Sequence, residues 1–159
     1  MPLMDDDFEY VGFWVRVAAS LIDTVLLVAV LIPLMMAIYG SAYLDNAASG
    51  ISSGSLDGLF NYVLPALAVI IFWLTKQATP GKMVFGAKVV DARTGNTLSV
   101  GQSIGRYLGY FVSIIPFLLG LIWVGLDARK QGWHDKLAGT VVIRPKKRGT
   151  EPVRFAKKI

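Results

Sequence analysis

The stretch Phe13-Trp14-Val15-Arg16-Val17-Ala18-Ala19-Ser20-Leu21-Ile22-Asp23-Thr24-Val25-Leu26 opens an apolar run that continues to Tyr39. Two residues of this run carry a charge, Arg16 and Asp23, and they are seven positions apart. On a helix they share one face and lie roughly 10 Å apart along the axis. Because a charge deep in a bilayer is costly, we expect this face to meet a protein partner or a water-filled pathway.

The composition is typical of a membrane protein. Of the 159 residues, 54% are hydrophobic, and the mean hydropathy is +0.54. The apolar residues are clustered, which excludes an ordinary soluble domain and leaves room for one compact membrane domain. Cysteine is absent, which excludes disulfides, thiolate metal sites and thiol nucleophiles. We expect neither a metal nor a cofactor.

The predicted fold is an α-helical integral membrane protein with two long transmembrane helices, a short-helix membrane hairpin and a small cytoplasmic antiparallel β-sheet. The long helices cover about 10–39 and 59–76 and are joined by a loop rich in Ser, Gly, Ala and Asn. Three β-prone runs lie at about 87–91, 97–100 and 140–144. The first two flank a Gly-Asn turn and predict a hairpin, which the third joins because two strands alone are only marginally stable.

The expected strand pairing decides the topology. Strands that pair lie on one side of the membrane, so the apolar segment 101–127 must enter the membrane and return. Pro116 lies at its middle, which predicts two short helices, at about 100–114 and 116–127. Both are shorter than a normal crossing of roughly 17 residues, so they need burial against the long helices. The alternative is a single kinked third span that places the C-terminus outside.

The placement of basic residues predicts the orientation. The net charge is +5, and ten of the 16 Lys and Arg residues lie between Arg129 and Lys158. Four more lie between the second and third apolar segments. This pattern is typical of cytoplasmic segments and predicts a multi-pass membrane protein with both termini in the cytoplasm. Residues 1–9 are acidic, and residues 145–159 form a basic tail that we expect to contact anionic lipid headgroups, with no nucleic acid partner.

Six charged or titratable residues are candidates for binding a cation or a proton: Asp23, Arg16, Arg106, Asp127, His134 and Asp135. Asp23 is the principal candidate, because its short side chain cannot reach the interface and must be paired, hydrated or protonated. The alternative is a structural Arg–Asp clamp. Arg106 can pair with Asp23 or Asp127, or extend its guanidinium to the interface.

Three further motifs favour structural roles. The stripe Gly101, Gly105 and Gly109 predicts close helix packing, within the chain or across a dimer. Thr79-Pro80-Gly81-Lys82 lacks the upstream glycine and the following Ser or Thr of a phosphate loop, and is interpreted as a turn. Trp133-His134-Asp135-Lys136 holds the one histidine, with too few ligands for a metal, and indicates an interfacial anchor with a capping Asp. A proton relay stays open because histidine titrates near neutrality. We expect no enzymatic activity.

Three stretches together resemble the RDD family of membrane proteins, named for one arginine and two aspartates. They are Gly12 to Asp23, then Thr79-Pro80-Gly81-Lys82 with Gly86 to Asp91, and His134 to Val142. The resemblance covers about 10–144. It implies that Arg16 and Asp23 are the family's first-helix pair and that the second family aspartate is Asp135 or, as the alternative, Asp127. The family's members are bacterial and archaeal, and the resemblance implies a location in a bacterial inner membrane. Some members have been assigned as sodium/proton antiporters.

Two functions are therefore expected as alternatives. The first is a monovalent cation/proton antiporter, in which Asp23 binds Na⁺ or H⁺ in alternation. Arg16 or Arg106 would then set the pKa of Asp23 and compete for its carboxylate. His134 and Asp135 then line the cytoplasmic mouth, and one copy is so small that a homo-oligomer is expected. The second is a non-transporting scaffold or accessory protein with structural Arg–Asp pairs and a tail that binds lipid or a partner.

Overall fold

A computed structural model describes residues 7–146; residues 1–6 and 147–159, with most of the predicted acidic segment and basic tail, lie outside the described part. The elements follow in the order β1 (Phe8–Tyr10), α1 (Phe13–Tyr39), α2 (Ala42–Ala48), α3 (Leu64–Lys76), α4 (Pro80–Val84), β2 (Lys88–Asp91), α5 (Val100–Ile114), α6 (Leu119–Leu126), α7 (Trp133–Ala138) and β3 (Thr140–Pro145). A π-helical turn, Leu59–Val63, leads directly into α3.

Two helical stretches are long and apolar enough to cross a membrane, as the sequence predicts. One is α1, with 27 residues, and the other, Leu59–Val84, comprises the π-helical turn, α3 and α4. Only 6% of the apolar window of either stretch is buried inside the protein. Their large apolar side chains therefore remain exposed, which suits a surrounding of lipid.

The predicted short-helix pair is present and sharply bent. Helices α5 and α6 meet at an angle of 100°. Helix α5 ends at Ile114, two residues before Pro116, because proline cannot donate a helical hydrogen bond and restricts the residue before it. Phe117 and Leu118 then take left-handed backbone conformations, with φ of 54° and 64°. Helix α6 consequently begins at Leu119, three residues later than the sequence indicates.

Both ends of the bent pair lie at the sheet. At the start of α5, the Gln102 side chain donates to the Asp91 carboxylate at 2.5 Å. After α6, the Arg129 guanidinium donates to the carbonyl oxygen of Ala92 at 2.8 Å. The segment thus leaves the sheet end of the molecule and returns to it, which is the path of a hairpin.

The sheet has three antiparallel strands in the order β1-β3-β2, with β3 at the centre. Val89 of β2 lies opposite Val142 of β3, and Tyr10 of β1 lies opposite Ile143. The predicted pairing of the late strand with 87–91 is therefore confirmed. The strand predicted at 97–100 is wrong, and β1, from the N-terminal segment, takes the third place instead.

A helix cap explains why 97–100 is not a strand. Ser99 is the N-cap of α5: its hydroxyl accepts from the Gln102 backbone N–H at 3.1 Å. The Gln102 side chain accepts from the Ser99 backbone N–H at 3.0 Å in return. This reciprocal capping box satisfies two helix-start donors, and it outweighs the β propensity of the neighbouring residues.

The apolar core lies between the sheet and the helix ends that face it. It contains Val11, Trp73, Ala87, Val89, Leu98 and Val142. These residues come from the link between β1 and α1, the end of α3, the approach to β2, strands β2 and β3, and the approach to α5. The core therefore fixes the helix ends relative to one another, and the charged residues of the helices meet beside it.

Helix α4 packs directly on the backbone of α1. A Cβ atom added at Gly81 would lie 2.0 Å from the carbonyl oxygen of Ala19 and 2.9 Å from the Asp23 carboxyl carbon. No side chain fits in this space, so glycine is required for the close approach. The stretch Thr79–Lys82, predicted as a turn, is instead the N-cap and the beginning of the short helix α4, which packs on α1.

We predict that Gly81→Ala destabilises the protein by about 3 kcal/mol, because neither backbone can move without separating α4 from α1. Gly105→Ala is the matched control, since a Cβ there meets nothing within 4 Å. It should be neutral or stabilising, because alanine is the better helix former. Apparent melting temperature in detergent measures both, and equal melting temperatures for the two variants would contradict the packing.

Candidate functional site

Asp135, in the first turn of α7, is the centre of a buried charged cluster. Its side chain is fully buried and contacts two guanidinium groups. Arg16 Nη1 donates to Oδ2 at 2.6 Å, and Arg106 Nη1 donates to Oδ1. The backbone N–H of Gly132 also donates to Oδ2, at 2.9 Å, so the carboxylate caps α7 as the sequence predicts. The cluster of one aspartate and two arginines has one surplus positive charge.

Arg16 joins three parts of the chain. Besides its bond to Asp135, its Nε donates to the Val11 carbonyl oxygen at 3.0 Å, and its Nη2 donates to the Lys130 carbonyl oxygen at 2.5 Å. Arg16 is near the start of α1, whereas Lys130 lies in the connection from α6 to α7. The guanidinium therefore fixes the return of the bent pair against the first helix.

Arg106 is fully buried against aromatic rings. Its Nη1 also donates to the Thr140 hydroxyl at 2.6 Å, and its guanidinium carbon lies 5.1 Å from the Trp73 ring centroid and 5.8 Å from that of Tyr110. These are cation–π distances. Within residues 7–146, its Nε and Nη2 have no hydrogen-bond partner. The contact with Asp135 therefore supplies the compensating charge that the buried guanidinium requires.

Asp23 is held by the N-terminal end of α4, away from the arginines. Its Oδ2 accepts from the Thr79 hydroxyl at 2.5 Å, and its Oδ1 accepts from the Gly81 backbone N–H at 2.7 Å. The expected pairing of Arg106 with Asp23 or Asp127, or its extension to the interface, is wrong. Arg106 pairs with Asp135, because α7 packs along the buried face of α5.

Asp127 lies outside the cluster. Its Oδ1 is 2.6 Å from the Lys136 ammonium, which is partly exposed. The hydrogen bond from Lys136 keeps the pKa of Asp127 below its usual value. This pair ties the end of α6 to α7 on the surface and does not contact the other predicted site residues.

His134 is buried among Tyr110, Ser113 and Asp135. Its ring stacks on Tyr110 at a centroid distance of 4.1 Å, its Nδ1 lies 3.3 Å from the Ser113 hydroxyl, and its Nε2 lies 3.5 Å from Asp135. Burial lowers the pKa of His134 to about 3, even though Asp135 acts in the opposite direction. The imidazole is therefore neutral at physiological pH, which disfavours the proton relay considered for it.

The charge state of Asp135 follows from its two partners. Burial raises the pKa of a carboxyl group, but here the charges of Arg106 and Arg16 outweigh it, so the pKa of Asp135 lies well below its usual value. Asp135 stays ionised over the physiological range. It is a permanent counter-ion and does not act as a titrating group.

The predicted glycine stripe packs at one of its three positions. A Cβ added at Gly109 would lie 2.9 Å from the Cα atom of His134, so α5 and α7 are in close contact there. Among the described residues 7–146, Gly101 and Gly105 have no neighbour as close. Gly109 brings α7 close enough for Asp135 to reach Arg106. Packing across a dimer at the other two glycines stays a prediction.

A cavity of about 290 Å³ lies beside the charged cluster, between α1 and α6. Its inner end is formed by Arg16, Lys82, Tyr110 and His134, and the rest of its lining is largely apolar. Within residues 7–146, no group of three or more His, Cys, Asp or Glu side chains is placed to hold a metal ion.

A sequence model of the RDD family matches residues 10–139, more than half of the chain. The protein belongs to the RDD family. Of the two candidates for the second family aspartate, Asp135 contacts Arg16 directly, whereas Asp127 does not. The three RDD residues of this chain therefore do not form one contact. Arg16 binds Asp135, whereas Asp23 binds the N-terminal end of α4.

Three of the relatives found are named as uncharacterised proteins. YxaI of Bacillus subtilis is 33% identical over 147 residues, covering 83% of this chain and 95% of YxaI. The membrane protein YteJ of the same species is 28% identical over 152 residues, covering 86% of this chain and 82% of YteJ. RP437 of Rickettsia prowazekii is 37% identical over 93 residues; the match covers 54% of this chain, and the chain spans about half, 51%, of RP437. No solved structure matches significantly. The protein is thus an RDD family membrane protein whose relatives assign no activity.

Sequence reasoning missed the neutral partners of the cluster. Thr140 binds both Arg106 and Asp135, and Ser113 contacts His134, yet neither was a candidate. Thr140 lies in a β-prone run and Ser113 in an apolar helix. Only the spacing of Ser113 from Arg106 and Gly109 along one face of α5 indicates burial.

We predict that Asp135→Asn destabilises the protein by about 3–5 kcal/mol, because two buried guanidinium groups lose their counter-ion. Asp127→Asn is the control. The Asp127 carboxylate pairs with an exposed lysine, so the free energy of unfolding should decrease by at most about 1 kcal/mol. Apparent melting temperatures in detergent measure the difference. Equal losses for both variants would show that the Arg16–Asp135–Arg106 contact contributes no special stability.

The depressed pKa of His134 predicts acid sensitivity. The unfolded chain takes up a proton at about pH 6.5 and the folded one only at about pH 3, so stability falls as pH decreases between these values. The free energy of unfolding should decrease by about 1.4 kcal/mol for each pH unit in that range. His134→Asn should flatten the dependence of the melting temperature between pH 7 and pH 5. If the melting temperature of this variant depends on pH as steeply as that of the wild-type protein, His134 is not the group that causes the acid sensitivity.

Proposed function

We propose that this RDD family protein is a non-transporting membrane scaffold or accessory protein whose Arg–Asp contacts fix the arrangement of its helices. The observation that supports this most directly is the position of Asp135. Its carboxylate is fully buried between Arg16 and Arg106, and each of these arginines comes from a different helix. Such a contact stabilises one arrangement of three chain segments.

Ion exchange places different demands on a carboxylate. An exchanging carboxylate must release its cation or proton, and it must become accessible to each side of the membrane in turn. Asp135 is engaged by two permanent positive charges, so a monovalent cation would have to displace a guanidinium. Asp23 accepts two short hydrogen bonds from Thr79 and Gly81, and these bonds join α4 to α1. A cation bound at Asp23 would break them.

A hydrolytic function has less support still, although the Ser113 hydroxyl lies 3.3 Å from Nδ1 of His134 and Asp135 lies 3.5 Å from its Nε2. A serine nucleophile needs a basic imidazole and room for a substrate. The Ser113 side chain is fully buried, its hydroxyl accepts from the His134 backbone N–H at 3.1 Å, and it does not line the cavity. The proposed role is therefore not enzymatic.

The topology that fits this role has the three-stranded sheet and both termini in the cytoplasm of a bacterial cell. It is supported by the bent α5–α6 pair, whose two ends lie at the sheet, and by the basic residues between α3 and α5. In this arrangement α1 and α3 cross the bilayer and the bent pair is re-entrant.

We predict that the purified protein in proteoliposomes gives no Na⁺- or K⁺-driven proton flux, measured with an enclosed pH-sensitive dye. An established antiporter reconstituted in parallel controls for vesicle tightness. Flux by the wild-type protein that disappears in Asp23→Asn, with assembly unchanged, would overturn the proposal in favour of exchange. Asp23→Asn is suited to this test because an amide can accept from the Gly81 N–H and donate to the Thr79 hydroxyl, which preserves the contact.

A further inference from the structure

The cavity between α1 and α6 has a charged inner end and an apolar mouth. Arg16, Lys82 and His134 lie at the inner end, and Leu21, Leu118 and Ile122 are partly exposed at the outer side. Both helices that form the mouth belong to segments apolar enough to lie in a membrane. The cavity therefore opens sideways, toward the position that lipid would occupy.

Lys82 is the group in this cavity that the fold does not explain. It is only 7% exposed, and among residues 7–146 its ammonium group has no ion pair or hydrogen-bond partner. Because most of this side chain is removed from water and has no anionic partner there, an anion at this position would be favoured. Gly81, directly before it, packs against the backbone of α1, so helix α4 holds the lysine at the cavity.

The charge balance around the cavity also favours an anion. Arg16, Arg106 and Lys82 contribute three positive charges, and Asp135 and Asp23 contribute two negative charges, which leaves one in surplus. Both carboxylates are already occupied by other donors. His134 adds N–H capacity without a charge. An incoming anion would thus meet one free ammonium group and no free carboxylate.

We propose that this cavity binds the phosphate headgroup of an anionic membrane lipid, with the phosphate at Lys82 and the acyl chains leaving between α1 and α6. The volume of about 290 Å³ lies at the small end of ligand pockets, which suits a headgroup and the start of the chains better than a whole lipid. The apolar mouth distinguishes a lipid from free phosphate, because a soluble anion gains nothing from it. This site is separate from the basic tail and does not depend on the absence of ion exchange.

Native mass spectrometry of the full-length protein in detergent tests the site. Phosphatidylglycerol is the probe, phosphatidylcholine is the zwitterionic lipid control, and inorganic phosphate is the chain-free control. The wild-type protein should bind phosphatidylglycerol, and Lys82→Met should weaken this binding about tenfold or more, since a charged hydrogen bond is lost. Lys76→Gln is the matched variant: it removes an exposed lysine at the end of α3, and it should change binding less than about twofold.

A second variant keeps the test decisive if Lys82→Met does not fold. Leu21→Trp adds bulk at the exposed mouth without changing the charged end, and it should weaken phosphatidylglycerol binding as Lys82→Met does. Equal weakening by Lys76→Gln, or equal binding of the two lipids by the wild-type protein, would refute the site. Competition by inorganic phosphate at concentrations comparable with those of the lipid would refute the lipid as its ligand.

Discussion

The contact of Asp135 with Arg16 and Arg106 is the constraint on which the rest of the structure depends. Arg16 begins the first long helix, Arg106 lies in α5, and Asp135 starts the short helix before the central strand. A buried ion pair is a weak source of net stability, because desolvation offsets much of the attraction. Its effect is specific: once the three groups are buried, any arrangement that separates them leaves a bare charge inside the protein. The contact thus excludes other helix arrangements.

The same constraint explains the bent pair and the sheet. Helix α7 must approach α5 closely for Asp135 to meet Arg106, and Gly109 provides the space. The chain must also return from α6 to the start of α1, where Arg16 binds the Lys130 carbonyl oxygen. Strand β3 follows α7 directly and pairs with β1 on one side and β2 on the other, so the sheet holds the start of α1 and the end of α7 together.

Much of this fold could be predicted from local patterns. Apolar length identified both long helices, Pro116 identified the break, and the β-prone run at 140–144 identified the central strand. The errors arose where two signals overlap. Thr97-Leu98-Ser99-Val100 has strand propensity, but Ser99 and Gln102 also form a capping box, and the cap prevailed. The third strand, Phe8–Tyr10, is only three residues long, so alternation could not reveal it.

The candidate site was predictable in its members but not in its contacts. Arg16 and Arg106 were recognised as unusual charges, because their cost in a membrane is visible in the sequence. Asp135 was recognised from the motif around the one histidine and from the family resemblance. Which charge meets which depends on the depth and rotation of three helices, and spacing along the chain gives neither. Arg16 and Asp23 share one face of α1, yet they bind different parts of the protein, because α4 takes the Asp23 end of that face and α7 the Arg16 end. Lys82, on α4 beside this face, has no carboxylate partner among residues 7–146. The separation of the two motif residues is therefore what creates the positively charged end of the cavity.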